Sequence, residues 1–209
     1  MGYKSAARQA QKEINIKRSR FISFCAPVGS EDEAQQLIGM RKKLYSDAAH
    51  NCYAYIVGEN GQISRSSDDR EPAGTAGIPI LEAIKARGLT YTLIVVSRYF
   101  GGVLLGAGGL ARAYSGAASA ALELAGQLRY EKTAVYRLDA DYADWDRLEK
   151  ALAKEAGCAV ESADYGEKVS AILLIREECE ARALGAIAEL TDGRVCAVKT
   201  GEKNAAWNA

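Results

Sequence analysis

Three acidic side chains crowd the start of one short stretch, "SSDDREPAGTAGIPILEAI", residues 66–84: Asp68, Asp69 and Glu71, beside Pro72, Gly74, Thr75 and Gly77. Carboxylates grouped in this way can hold a divalent cation such as Mg²⁺, usually with help from a substrate phosphate. Acidic residues beside proline and glycine are equally the ordinary residues of turns and caps. In that case they tie the loop to nearby backbone N–H groups, or to Arg65 or Arg98. The single histidine, His50, lies upstream in "SDAAHNCYAY". It would serve as a general base only if a partner such as Asp47 or Asp68 oriented it. No G-x-S-x-G elbow and no cysteine in an activating context accompanies it.

A second stretch begins about thirty residues on, "RYFGGVLLGAGGLARAYSGA". Gly101, Gly102, Gly106, Gly108 and Gly109 fall between a strand pattern and a helix pattern. Glycines there allow close backbone approach, and the first N–H groups of a helix attract anions. The spacing is not that of a P-loop, because Ala107-Gly108 stands where Lys and Ser or Thr are needed, and it is not G-x-G-x-x-G. Arg98 and Arg112 flank the glycines, which points to an anionic or polar partner. Tyr99 lies between Arg98 and the glycines, and aromatic residues among arginines can stack on bases. No RNA-recognition signature is present.

Composition narrows the class. The 209 residues suffice for one large domain or two small ones, and no apolar run approaches the roughly 18 residues of a membrane span. The first twenty residues lack the apolar segment of a secretory signal. Five cysteines, widely spaced and without a C-x-x-C pair, fit reduced thiols in a cytoplasmic protein better than a disulfide frame or a zinc site. Net charge is zero but uneven: residues 1–130 hold 16 Lys and Arg against 11 Asp and Glu, residues 131–209 hold 11 against 16. A basic half and an acidic half indicate two domains, 1–130 and 131–209.

The elements that must position these residues can be read in order. "EINIKRSRFISFCAPV" reads as a strand after a polar lead-in. Ser30 and Glu33 form a capping box for a helix with Ala34, Leu37, Ile38 and Leu44 inward. "CYAYIV" and "QISRS", joined by "GENG", predict a hairpin running into the acidic loop. Pro79 opens a helix, "YTLIVVS" is a buried strand, and "LARAYSGAASAALELAG" is a long helix with Leu110, Tyr114, Ala117, Ala121 and Leu124 inward. In the second half, "YRLDADY" alternates as a strand with Tyr136, Leu138, Ala140 and Tyr142 to one side. A helix capped by Asp144 follows, then two strands around Gly166, a second helix and the strand "RVCAVKT". That order is βαββαβ, the split-βαβ plan of ferredoxin-like domains. The polar tail "GEKNAAWNA" is expected to fray, apart from Trp207.

Four motifs in order, "KRSRFI", "DAAHNCYAY", "SSDDREPAGTAGIPILEAI" and "VVSRYFGGVLLGAGGLARAYSGA", resemble the YigZ/IMPACT family over roughly residues 15 to 125. The resemblance implies an α+β protein. Its N-terminal two-layer α/β domain would be similar to domain IV of elongation factor G and to RNase PH. The ferredoxin-like domain after it would be similar to domain V of elongation factor G. No cofactor is expected, and the resemblance implies a role in translation: eukaryotic members act as binding proteins in translational control. For bacterial members it implies nucleic-acid or ribosome binding. The family's shared surface then falls on His50, Asn51, Asp68, Asp69, Glu71, Pro72, Gly74, Thr75, Gly77, Arg98, Tyr99, Gly101, Gly102, Gly106, Gly108, Gly109, Arg112 and Tyr114. Three positions depart from the pattern: Arg70 replaces a glycine, Ala49 a threonine and Ile78 a Lys or Arg. If the glycine's backbone needs positive φ, Arg70 is strained by about 1 kcal/mol. The expected function is a binding protein linked to translation, contacting RNA, the ribosome or a translation-related protein through the basic half. The alternative is a metal-assisted hydrolase or phosphotransferase built on the acidic loop and His50.

Overall fold

The structure, a computed structural model, describes residues 2–208. The chain divides into two compact units, residues 3–129 and 130–207.

Five antiparallel strands form the sheet of the first unit: β2 (Ala10–Ile16), β3 (Ser19–Pro27), β4 (His50–Val57), β5 (Ile63–Ser67) and β6 (Thr92–Tyr99), in the order β2-β3-β6-β4-β5. A short β1 (Tyr3–Ala6) comes first, with the Lys4 carbonyl accepting from Thr90 N at 2.8 Å. The stretch expected as a single strand is two, β2 and β3. They turn through Lys17 and Arg18, whose φ values are +44° and +68°, with Ile16 opposite Ser19. A two-residue turn with both φ positive matches the strand twist, and it normally announces itself with Asn or Gly. Lys-Arg carries no such announcement.

Alternation sorts the strand residues to two faces. Phe21 and Cys25, Cys52, Ala54 and Ile56, and Ile94 and Val96 pack beneath α2 (Gly77–Lys85) and α3 (Ala107–Ala125). Tyr55, Val57, Leu93 and Val95 pack against α1 (Glu31–Leu44), mainly on Ala34 and Ile38. The sheet is therefore covered on both faces, and α1 adds a thin third layer to the two expected. Ser30 caps α1 as read, accepting from Glu33 N at 3.2 Å, but the Glu33 carboxylate returns to Gly29 N at 2.6 Å and not to Ser30. Leu44 and Leu124, expected inward, are exposed; Leu122 and Ala125 fill the end of α3 instead.

The second unit runs β7 (Gln127–Ala140), α4 (Tyr142–Leu152), β8 (Cys158–Tyr165), β9 (Val169–Arg176), α5 (Glu180–Leu190) and β10 (Val198–Asn208). A 3-10 turn at Glu177–Cys179 precedes α5. The strands lie in the order β10-β7-β9-β8, with Tyr136, Leu138, Leu148, Leu173, Ile175 and Ile187 central to the core. Three expectations change here. Tyr142 is exposed as the first residue of α4. Asp144 is not the cap but a first-turn residue, clasped by Arg194 through Nη2 at 2.9 Å and Nε at 3.2 Å. The Arg194 hydrogen bond leads the effects that hold its carboxyl below the usual range, against the opposing pull of burial. The tail does not fray: it continues β10, Ala205 is buried, and Trp207 donates to Thr133 Oγ1 at 3.0 Å while Arg176 stacks on its ring.

One contact ties the β2–β3 turn to the loop after β6. A Cβ on Gly101 would fall onto the carbonyl of Arg18, so the loop after β6 can cross the β2–β3 turn only through glycine. Gly101→Ala should lower stability by about 2 kcal/mol or more, read as a fall in denaturation midpoint with unchanged m-value.

Candidate functional site

Strand register decides where the chemistry lands. Arg98 follows Ile94 and Val96 on the α2/α3 face of β6 and pairs with Phe21 on β3 and His50 on β4. These three form one cross-strand row at the end of the sheet, under the start of α3. Arg98 is 5% exposed and Glu71, arriving from the acidic loop, is 7% exposed. Arg98 Nη1 donates to Glu71 Oε1 at 2.6 Å. Tyr114 of α3 donates to the same oxygen at 2.7 Å, and the Cys52 thiol donates to Tyr114 Oη at 3.4 Å. Burial pushes the Cys52 thiol up to about 12, so it stays protonated and unreactive at neutral pH. The Tyr114 hydroxyl is raised as well, first by burial and then by the neighbouring Cys52 and Glu71.

The other two carboxylates hold the loop. Asp68 Oδ1 accepts from Ala76 N at 2.9 Å and Gly77 N at 2.8 Å, and Oδ2 from Gly74 N at 2.9 Å. It caps α2 from eight residues upstream, where a negative charge also suits the helix dipole. Burial alone would raise its pKa; the three amide bonds outweigh that and leave it below the usual carboxylate range. Asp69 Oδ2 accepts from Asn51 N at 2.6 Å, and Oδ1 meets Lys42 Nζ at 3.3 Å. Thr75 closes the turn on the Pro72 carbonyl at 2.7 Å. A Cβ on Gly77 would lie 2.7 Å from Ser67 N, so that glycine serves close packing.

Several expected pairings are replaced. His50 is oriented by neither Asp47 nor Asp68: its Nδ1 meets the Asp69 carbonyl at 2.8 Å and its Nε2 lies 3.8 Å from Glu71. Asp47 instead accepts from Tyr99, whose ring is covered by Arg20 at 4.4 Å. Arg65 is placed 3.6 Å from Glu31, away from the acidic loop. Arg98 is not an outward-facing cation, because the buried Glu71 opposes its charge. Arg112 is exposed on α3 and does not join it. Among the described residues no three His, Cys, Asp or Glu side chains gather as a metal site.

What does open onto this row is a cavity of about 520 Å³, lined by Ala49, His50, Arg70, Glu71, Pro72, Arg98, Phe100, Leu104, Leu105, Gly106, Ala107 and Leu110. Of the expected site residues only His50, Glu71, Pro72, Arg98 and Gly106 reach it. Asn51, Asp68, Asp69, Gly74, Thr75, Gly77 and Tyr114 build its frame. Tyr99, Gly101, Gly102, Gly108, Gly109 and Arg112 lie outside its lining. The apolar wall of Phe100, Leu104, Leu105 and Leu110 escaped the motif reading. Its signal is there, in the apolar run "VLL" held between glycines. Arg70 has φ +72°, and its side chain donates to the Ala49 carbonyl at 3.2 Å.

The site is thus a pocket with a buried ion pair as its floor, carried on a two-unit α+β chain. Residues 17–122 match the Impact N-terminal domain and residues 138–194 a domain of unknown function, DUF1949. The "IMPACT family member YvyE" of Bacillus subtilis is 40% identical across 96% of this chain and 91% of its own. The "IMPACT family member YigZ" of Escherichia coli is 36% identical across 72% of this chain and 74% of its own. A solved structure described as that of a hypothetical protein superposes with a TM-score of 0.61 at 29% identity, covering 94% of this chain and 96% of the other. The chain belongs to the YigZ/IMPACT family.

Two outcomes follow for the frame. Glu71→Ala leaves Arg98 buried without its counter-charge and should cost about 3–5 kcal/mol, whereas Glu71→Leu combined with Arg98→Met should cost less than the single change. Chemical denaturation of the two variants beside wild type measures both. Asp68→Asn should destabilise at neutral pH. Because the folded carboxyl is depressed, its stabilisation is complete above its unfolded value, about 3.9, and is lost as pH falls through the lower folded value. The gap between wild type and Asp68→Asn should therefore shrink in acid, as urea midpoints from about pH 7 to pH 3 would record.

Proposed function

We propose that the protein is a non-enzymatic binding protein of translational regulation, acting from its basic N-terminal unit on RNA, the ribosome or a translation-related protein. The observation that carries this reading is the commitment of Asp68, Asp69 and Glu71 to backbone amides and to Arg98, beside a cavity walled by apolar side chains. Carboxylates engaged in this way position a surface and are poorly placed to exchange protons with a substrate. Family membership supports the link to translation, since the resemblance to eukaryotic members implies binding roles there.

The outward cations of the unit supply the attraction. Lys17, Arg18, Arg20 and Arg112 are exposed, and Arg20 lies over Tyr99. Such a basic and aromatic surface suits a phosphate backbone. The second unit is read as ferredoxin-like, supported by its βαββαβ order and β10-β7-β9-β8 sheet, and as an accessory contact or regulator. The first is read as similar to domain IV of elongation factor G. The domain division proposed is 1–130 and 131–209. A cytoplasmic setting is supported by five unpaired cysteines, and among the described residues no helix is long and apolar enough to cross a membrane.

Co-sedimentation with ribosomes and with free RNA across a salt series tests the reading. Wild type should pellet at low salt and release as salt rises. A Lys17→Asn, Arg18→Gly, Arg112→Gln variant removes three exposed charges and gives the β2–β3 turn residues it favours. It should flatten the salt slope by about 2. Wild type that stays in the supernatant at low salt defeats the nucleic-acid form of the reading. A single protein captured through nuclease treatment would assign the partner to protein.

A further inference from the structure

The pocket itself has a chemistry different from that of the basic surface around it. Its volume, about 520 Å³, lies within the roughly 300–1,000 Å³ usual for small-molecule sites. One side is apolar: Phe100, Leu104, Leu105, Leu110, Pro72 and Ala107. Phe100 and Leu104 are 51% and 83% exposed, an unusual expense of apolar surface at the mouth of a cavity. The other side is polar and carries a small positive excess. Arg98 and Arg70 contribute two cations, and Glu71 takes back one.

Two groups there lack partners. Arg98 Nε is buried without an acceptor, although the residue lines the cavity and its other nitrogens meet Glu71 and Ser19. The first turn of α3 begins at the cavity wall, where Gly106 at φ +69° and Ala107 bring its N–H groups, and no side chain caps it. An uncapped helix start carries about half a positive charge. A chain of phosphates fits this poorly, because the pocket offers about one net positive charge against apolar walls. A single carboxylate fits it.

We propose that the cavity binds a small amphiphilic monocarboxylate. Its carboxylate lies between Arg70, the Arg98 floor and the first turn of α3, and its apolar body lies along Phe100, Leu104 and Leu105. This ligand is an input separate from the RNA, ribosome or protein that the outer surface meets. The proposal deepens the reading of the N-terminal unit as a binding module. It has its own readout, so its failure leaves the co-sedimentation result untouched.

Octanoate, octanol and octylamine serve as matched probes, titrated into the full ¹⁵N-labelled chain. Octanoate should shift the amides of 106–110 and of Arg70 saturably, with Kd on the order of 1 mM. Octanol should bind about tenfold weaker and octylamine should leave those amides unmoved. Arg70→Gly removes one cation and relieves a left-handed backbone, and Leu104→Ser alters a largely exposed side chain, so both variants fold. Each should weaken octanoate by about fivefold. Octanol binding as tightly as octanoate would overturn the proposal. So would affinities unmoved in both variants, or shifts confined to residues outside the cavity. A short peptide ending in Phe-Leu with a free carboxylate that binds more than tenfold tighter than octanoate would overturn the small-molecule source and assign the site to protein chain ends.

Discussion

The Arg98–Glu71 pair is the constraint on which the first unit depends. A guanidinium and a carboxylate, each almost wholly buried, must meet or the fold carries an unpaired charge. Meeting requires β6 to deliver Arg98 to the α2/α3 face and the loop after β5 to bring Glu71 across the sheet end. It also requires α3 to present Tyr114 above them. Each requirement fixes another segment. Asp68 folds the loop by gathering three amides, Asp69 pins it to the start of β4, Gly101 lets the chain leave β6 across the Arg18 backbone, and Gly106 at positive φ lets it enter α3. Residues that look like an acidic catalytic group are, taken singly, three anchors of one turn.

That economy explains why Arg70 is tolerated. The position needs left-handed backbone because the loop must reverse between Asp69, also at positive φ, and Glu71. Glycine meets the need without strain, and arginine meets it at about 1 kcal/mol. The loop around it is over-determined by carboxylate–amide bonds, which hold the strained residue in place. Its side chain then gains a place at the mouth of the cavity, on the Ala49 carbonyl.

Much of the fold was legible and the reasons are local. Periodicity marked α1, α3 and the βαββαβ order of the second unit, because apolar spacing records which face is covered, and Pro79 marked the start of α2. It failed where a turn used residues with no turn signature, as at Lys17-Arg18, and where strand pairing overrode polarity, as along β10, whose Lys203 and Asn204 sit in a sheet all the same. The site was half legible. "TLIVVSRY" is apolar on both faces, so nothing in the sequence shows that Arg98 turns inward with Ile94 and Val96, and an arginine beside glycines reads as exposed. The cavity wall was missed for the converse reason: Phe100 and Leu104 lie in a loop, where periodicity assigns no face.

Once Arg98 is seen to be opposed by Glu71, the charge excess of the first unit must be relocated. The cations that act at a distance are the exposed ones, on the β2–β3 turn and on α3, and their influence decays within about 10 Å at moderate salt. A ligand in the cavity would be held at contact, by apolar walls and a nearly compensated floor that salt hardly reaches. On the proposed reading one small unit would carry two recognition chemistries with different dependences on ionic strength. The loop 100–106 belongs to both, since it leaves β6 against the Arg18 turn and arrives at α3 as the cavity's wall. Occupation of the cavity would be felt first by that loop, and through Gly101 by the turn that bears two of the exposed cations. This chain of contacts gives a ligand in the pocket a physical route to the outer surface.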